Sequence, residues 1–348
     1  MKNLIVQNKK GNILSLVLRK FSEGDEEGII DCIRDEYGDT YFKQDFYNPA
    51  YIKKQEREGK ITFLVAETES HEIAGIMTLK RLCLEENMCE MASQIFRKKY
   101  RGYGIAIPFI RYGMMILLSG YYSAAYALPV LFHSVTQRLL YRQGFKATGF
   151  MLNVFDMDMI THSYFRDRNQ KHSQGIQIMA VKKRNAGILH IPEEHWEFCR
   201  KIYDNLGVAY KISNGKKGVP VRKLSEITFT NNERQSSLEI CVRNIGKNLV
   251  YKIYQLHTMI PLKGKQTANI LLNCNDDHAV GAYTVLKKMG YFFAGFKPLC
   301  GEREYMVLHH PGEVKIYFGE YTLSGEFAML MQYVKACYEE RQIEENDQ

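Results

Sequence analysis

The chain has eight cysteines and no CxxC pair. They stand singly at positions 32, 83, 89, 199, 241, 274, 300 and 337, a pattern that speaks against a zinc ribbon or a thioredoxin-like redox motif. The opening residues, "MKNLIVQNKKGN", lack the apolar core of a signal peptide, so reduced thiols in the cytoplasm are expected. Lys/Arg blocks resembling a nucleic-acid tail are absent, as are short-period repeats and low-complexity tracts. The net charge of +8 favours anionic ligands, with nucleic acid, an acidic surface and a phosphorylated cofactor all compatible. The missing basic tail gives a small ligand more weight.

Acidic and basic residues are also missing from residues 112–137, "YGMMILLSGYYSAAYALPVLFHSVTQ". About 20 apolar residues suffice to span a bilayer, but Gly120, Ser123, Pro129 and several tyrosines break this run. A buried helix followed by a buried strand accounts for it better. What is present is the make-up of a folded, soluble protein, 45% hydrophobic and 25% charged. Its 348 residues are comfortable for two domains.

The first half alternates strand and helix signals. Leu14, Leu16 and Leu18 in "ILSLVLRKF" predict a half-buried strand. Ser22 and Asp25 come close to a capping box, and Ile29, Ile30, Ile33 and Tyr37 follow at helical spacing. Pro49 predicts the start of a second short helix. Residues 61–82 read as a hairpin turning at Ser70 and His71, followed by a strand from Met88 to Phe96. From Gly104, the residues Ile107, Ile110, Met114, Leu117 and Leu118 mark one helical face, with Pro108 in the tolerant first turn. "SAAYALPV" is a candidate strand. A helix follows, with Ser134 and Gln137 in capping-box register and Gly144 as its stop. Strands at "GFMLNVF" and "GIQIMAVK" close a first domain near residue 183. "KKRNAGILHIPEE" reads as a linker that turns helical at Pro192. The second half repeats the mixture more faintly, with strands near "SEITFTN", "LEICVRN" and "TANILLNC" and a final amphipathic helix over "SGEFAMLMQYVKACYEE".

The stretch that carries chemistry is "KKYRGYGIAIPFI", residues 98–110. Gly102 and Gly104 fall between a predicted strand and a predicted helix, where unpaired N–H groups and a partial positive charge attract anions. Glycine lets an anion approach the backbone closely, and Arg97, Lys98, Lys99 and Arg101 add positive potential. A Walker loop is absent, and a dinucleotide fingerprint would need a third glycine where Ile107 stands.

Arg101-x-x-Gly104-x-Ala106 does match the Q/R-x-x-G-x-G/A pyrophosphate signature of the GNAT superfamily of N-acetyltransferases. The element order over roughly residues 13–182 resembles that family as well. So does a second block, "FHSVTQRLLYRQGFKATGF", with His133, Thr136, Gln137, Gly144 and Phe145 at its polar and Gly-Phe positions. The resemblance implies an α/β fold with a mixed, splayed central sheet flanked by helices over residues 1–183. A fainter likeness in "NCNDDHAVGAYTVLKKMGYFFAGFKP", with Gly290-Tyr291 in place of Gly-Phe, implies a degenerate second GNAT-like domain over 184–348. That domain lacks the phosphate signature.

For function, the resemblance implies acetyl-coenzyme A as co-substrate, no metal, and direct attack of an amine on the thioester. The pyrophosphate would rest on the amides of Arg101, Gly102, Tyr103, Gly104, Ile105 and Ala106, and the pantetheine would pair with the strand near Phe96. His133 and Gln137 would flank the pantetheine and adenosine. Relatives often use a tyrosine as acid where this chain has Leu140, which makes neighbouring Tyr141 the candidate. Glu85, Glu86 and Glu90 are candidate bases, none singled out. The acceptor would be a small-molecule or peptide amine, with neither nucleic acid nor membrane as partner. Two other readings stay open: a non-catalytic acyl-coenzyme A sensor or partner-binding module, and nucleic-acid binding through the basic turn, which would show a steep salt dependence.

Overall fold

The computed structural model describes residues 1–82, 88–120, 122–156 and 171–346. Contacts divide these into two compact units, one over Met1–Ala127 and one from Leu128 onward.

The first unit runs β1 (Lys2–Gln7), β2 (Ile13–Lys20), α1 (Glu26–Tyr37), α2 (Pro49–Arg57), β3 (Ile61–Thr68), β4 (Ile73–Arg81), β5 (Met88–Phe96), α3 (Ala106–Leu118) and β6 (Ala124–Ala127). Its strands are ordered β1-β2-β3-β4-β5-β6. All neighbours are antiparallel except β5 and β6, which are parallel and joined by the α3 crossover. Side chains of a strand alternate between faces, and here the alternation sorts the helices. Phe63, Val65, Ile76 and Ile95 share one buried cluster with Ile29, Ile30 and Ile33 of α1 and Ile52 of α2. Their neighbours Leu64 and Met77 face α3 instead, so closely that a Cβ on Gly113 would stand 2.8 Å from Met77 Sδ. Each large apolar side chain so buried contributes about 1.5–3 kcal/mol.

The sequence carried no expectation for β1, the expected cap of α1 is corrected, and the charge-free run is the helix and strand it was expected to be. β1 carries no readable alternation because only Leu4 and Val6 are even half-buried. The cap of α1 is Asp25, not Ser22; the Asp25 carboxylate receives the Arg19 guanidinium at 2.6 and 2.9 Å and the Ser22 N–H at 2.7 Å. The charge-free run ends α3 and continues into β6, and among the described residues no helix is long and apolar enough to cross a membrane. Helix α2 does begin at Pro49, with Asn48 Oδ1 accepting the Ala50 N–H at 3.0 Å.

The second unit runs α4 (Val135–Tyr141), β7 (Lys146–Asp156), β8 (Lys171–Ala180), β9 (Asn185–His190), α5 (Trp196–Leu206), β10 (Ala209–Ser213), β11 (Glu226–Asn232), β12 (Ser237–Asn244), α6 (Leu249–Met259), β13 (Thr267–Asn273), α7 (Ala279–Lys288), β14 (Phe292–Cys300), β15 (Arg303–His310) and α8 (Gly325–Asn346). The strand order is β8-β7-β14-β15-β13-β12-β11, with β12 and β13 the parallel pair. Strand β9 occupies the expected linker and pairs with β10. A 3-10 turn over Glu193–His195 delays the following helix to Trp196. The contact-based division groups β7 and β8 with later strands because β7 meets β14 at Gly149 and Gly295.

Along the chain, β4-β5-α3-β6-α4-β7-β8 and β11-β12-α6-β13-α7-β14-β15 have the same order of strands and helices. In each, the second and third strands are parallel. The chain carries this pattern twice.

Candidate functional site

In the first unit, β5 and β6 pair at Met88↔Ala124, Cys89↔Ala125 and Glu90↔Tyr126. There β6 runs out, one residue later at Ala127, while β5 continues to Phe96. The two strands therefore form a fork whose longer arm is residues 91–96. Just past the fork, β5 bulges. Ile76 faces Ile95 and Thr78 faces Ala92, so Met77 alone opposes Ser93 and Gln94. Ser93 takes the left-handed conformation, φ +52°, one of the ways a ladder accommodates an extra residue.

Beyond Phe96 the chain makes a 3-10 turn over Lys98–Tyr100 and then reaches α3. Gly102 and Gly104 both have positive φ, +83° and +76°, a conformation that costs glycine little. The first helical bond of α3 runs from Phe109 N–H to Ile105 O at 3.0 Å, and no side chain caps the helix. Among the described residues, no hydrogen bond is donated by the backbone N–H groups of residues 102–107. A Cβ placed on Gly102 or Gly104 would meet nothing within 4 Å. The turn is an open cradle of backbone donors at a positive helix end.

Its cations are less available than the sequence suggests. Arg97 binds Glu72 at 2.7 Å and Asp31 at 3.5 Å. Glu72 also takes Lys99 Nζ at 2.7 Å and Tyr100 OH at 2.6 Å. Arg101 donates to Phe96 O at 3.2 Å and pairs with Glu36. Acids from α1 and the β3–β4 turn thus hold the basic loop in shape, and the backbone supplies the unspent donors. Phe96 sits at the end of the fork, its ring 5.8 Å from that of Phe109.

His133, Gln137 and Tyr141 lie in the second unit. Gln137 is fully buried. Its Nε2 donates to Val130 O at 3.0 Å, His133 O at 2.9 Å and Thr322 O at 3.2 Å, and its Oε1 accepts the Ser324 N–H at 2.8 Å. That amide pins two loops together, and the expected capping box does not form because Ser134 makes no cap bond. His133 Nδ1 is buried without a hydrogen-bond partner among the described residues, and burial lowers its pKa. Leu140 is buried, whereas Tyr141 is 47% exposed with Lys146 Nζ 4.7 Å from its ring centre. Glu85 and Glu86 lie outside the described residues; Glu90 closes the paired part of the fork.

Two residues at the bulge escape any reading of the sequence alone. Tyr41 OH and Lys43 Nζ each stand 3.0 Å from Ser93 Oγ. They arrive from the segment between α1 and α2, and no local pattern announces a contact fifty residues away.

The second unit builds the equivalent places differently. Strands β12 and β13 stay paired from Ser237↔Thr267 to Val242↔Leu272, without a fork over that length. In the turn before α6, Ile245 N–H donates to Asp276 Oδ2, Gly246 N–H to Ser225 Oγ and Lys247 N–H to Lys223 O, each at 2.9 Å. A Cβ on Gly246 would collide with the backbone of Leu224 and Ser225. The segment Lys223–Ser225 plugs this turn.

No protein-family model and no curated protein matches the chain. Among solved structures, an N-acetyltransferase from Staphylococcus aureus Mu50 is similar at 14% identity and a TM-score of 0.40, over 48% of this chain and 99% of that one. Mutant forms of the spermidine/spermine N-acetyltransferase SpeG from Vibrio cholerae are similar at 15% identity and a TM-score of 0.38, over 48% of this chain and 95% of theirs. Both of those proteins are described as N-acetyltransferases.

Proposed function

We propose that the chain is a GNAT-type N-acyltransferase that moves an acetyl group from acetyl-coenzyme A to an amine. The observation that carries the reading is the pairing of two openings on one strand: β5 parts from β6 after Glu90↔Tyr126, and six residues later its end leads into the open amide turn. A pantetheine arm along residues 91–96 would use the strand edge as an added β-strand does. Its pyrophosphate would then fall on the N–H groups of residues 102–106. An amine nitrogen attacks the thioester carbon, the carbonyl oxygen becomes an oxyanion held by a backbone N–H of the bulged strand, and the C–S bond breaks as the thiolate takes a proton. The bulge and the fork lie at the same point of β5, which supports an oxyanion donor there.

The acceptor is a small-molecule or peptide amine. Seven cysteines among the described residues are free thiols, which supports a reducing, cytoplasmic setting. A second reading, a non-catalytic acyl-coenzyme A sensor, draws on the burial of Leu140 where relatives place an acid, and on the solvent position of Tyr141. Calorimetric titration of coenzyme A tests the shared part of both readings. Thiol release from acetyl-coenzyme A across a broad panel of amines separates them: binding without release for any amine leaves the sensor, and absence of binding removes both.

A further inference from the structure

The cluster at the bulge is not explained by coenzyme binding. Lys43 carries its stem beside Phe42 and Phe46, with Nζ 5.5 and 5.4 Å from the ring centres. Its one hydrogen-bond partner among the described residues is Ser93 Oγ at 3.0 Å. No carboxylate of the described residues forms an ion pair with it, in contrast to Arg97, Lys99 and Arg101 nearby in the same unit. The two rings and the hydroxyl compensate an ammonium only in part, because no counter-charge of the described residues pairs with it. Tyr41 is buried and donates to the same Ser93 oxygen, and burial holds its phenol protonated by raising its pKa. With Tyr41 O–H and one Lys43 N–H both given to Ser93 Oγ, that oxygen's two lone pairs are used. A neutral Lys43 keeps its own nitrogen lone pair for another proton.

Resting on the acyltransferase reading, we propose that Lys43, held on Ser93 at the β5 fork, is the base that takes the proton from the incoming amine. The acceptor ammonium gives one proton to Lys43 Nζ, and the freed amine forms a new N–C bond at the thioester carbon. The tetrahedral nitrogen loses its extra proton to water. The C–S bond then breaks, and the thiolate takes the proton back from Lys43, which returns to a neutral amine. The products are the amide, the coenzyme thiol and one proton released to solvent. Burial favours the neutral form of Lys43, Glu90 on β5 opposes it, and Lys80 on β4 adds to it.

Competitive labelling of the full chain with acetic anhydride, followed by mass spectrometry across pH, reads Lys43 directly, with exposed Lys54 as internal reference. Lys43 should half-label at a lower pH than Lys54, the direction in which burial moves it, and coenzyme A should protect Lys43 while leaving Lys54 unchanged. Titration of Lys43 together with Lys54 overturns the proposal. So does unchanged Lys43 labelling when calorimetry shows coenzyme bound, an outcome that leaves the coenzyme reading standing. If coenzyme does not bind, both fall. With any amine that releases thiol, Lys43→Arg and Lys43→Met should each lower kcat about 100-fold or more and remove the acidic limb of the pH profile, at unchanged coenzyme affinity. Activity retained in Lys43→Arg would make Lys43 an anchor for an anionic acceptor instead, and the base assignment would be withdrawn.

Discussion

Two crossovers in this chain, β5-α3-β6 and β12-α6-β13, share an order of elements and treat their strand ends in opposite ways. The first leaves residues 91–96 beyond its last strand pair and leaves the donors of its turn open. The second pairs its strands from Ser237 to Val242 and hands the amides of Ile245, Gly246 and Lys247 to protein acceptors. A buried polar group without a partner costs about 1–3 kcal/mol. The second turn therefore gains stability from its plug, and the first forgoes that gain to stay open for water or an anion. The same scaffold holds in both places. A binding site, on this comparison, is the part of a fold that the protein declines to fill with itself.

Exchanging the roles of the two turn glycines is the strongest test. Gly104→Val should lower coenzyme affinity at least about 100-fold while costing about 1–3 kcal/mol of stability, the strain of a side chain at positive φ. Gly104→Asn separates the two effects, because Asn accepts the left-handed conformation but still brings a side chain into the cradle. It should fold nearly as the parent does and still bind weakly. Gly246→Ala should behave in the reverse sense, losing about 1–3 kcal/mol or more through collision with Leu224 and Ser225, with coenzyme affinity of the folded protein intact. Calorimetry and thermal melts on the three variants read both quantities. Parent-like binding by Gly104→Val would falsify the site.

A second contrast is electrostatic. Glu304, wholly buried in the second unit, has its pKa raised to about 7 by burial, despite bonds from Leu299 N–H at 2.8 Å and Tyr203 OH at 2.9 Å. The folded state then binds more protons than the unfolded chain between the ordinary 4.5 and about 7. Stability should fall as pH rises through that window, by an amount on the order of 3 kcal/mol. Lys171, among the carbonyls of Gln235, Ser236 and Lys265, has its pKa lowered by burial to about 8. There the unfolded chain binds more protons, so stability should rise between about 8 and the ordinary 10.5. Denaturant titrations across pH should show a minimum between the two windows, and Glu304→Gln should flatten the acidic-side slope. An unchanged slope in that variant assigns the pH dependence elsewhere.

The plug itself gives a smaller effect. Ser225→Ala removes the acceptor of the Gly246 N–H and leaves that buried amide unpartnered, at a cost of about 1–3 kcal/mol. Coenzyme stoichiometry should remain one per chain, because Lys223 and Leu224 still occupy the turn. A second binding event in Ser225→Ala would show that one hydroxyl keeps the two halves different.

How much of this was readable beforehand follows from the range of the forces involved. The strand Met88–Phe96 and the helix after Gly104 were legible because apolar periodicity and glycines act locally. β1 was missed because it is an exposed edge, and β9 because its buried residues, Ala186 and Leu189, fall out of strict alternation. Gln137 looked like a cap, yet its amide answers Thr322 and Ser324, nearly two hundred residues later. The bulge at Ser93 depends on one extra residue opposite Met77, which no composition rule marks. Lys43 and the Lys223–Ser225 plug are long-range contacts of the same kind. The sequence located the open turn and could not show that its counterpart was closed.

The smallest expected effects lie in the side chains around the open turn. Sequence alone suggests that Arg101, as the first residue of the signature, contributes about 1–3 kcal/mol to coenzyme binding through a charged hydrogen bond. Its guanidinium is instead engaged with Phe96 O and Glu36 and is nearly half exposed. Arg101→Ala should therefore weaken binding by about 1 kcal/mol, mostly by loosening the turn that Phe96 O anchors. Lys99 shares Glu72 with Arg97 and Tyr100, and its side chain is more exposed than that of Arg101. Lys99→Ala should change affinity least of all, because the two remaining partners hold Glu72 and solvent screens the lost charge. Titrations at low and at physiological salt distinguish backbone from cation. If Lys99→Ala costs as much as Gly104→Val and the loss disappears with salt, the grip is a cationic patch, and the open amides of the first turn are not what separates it from the second.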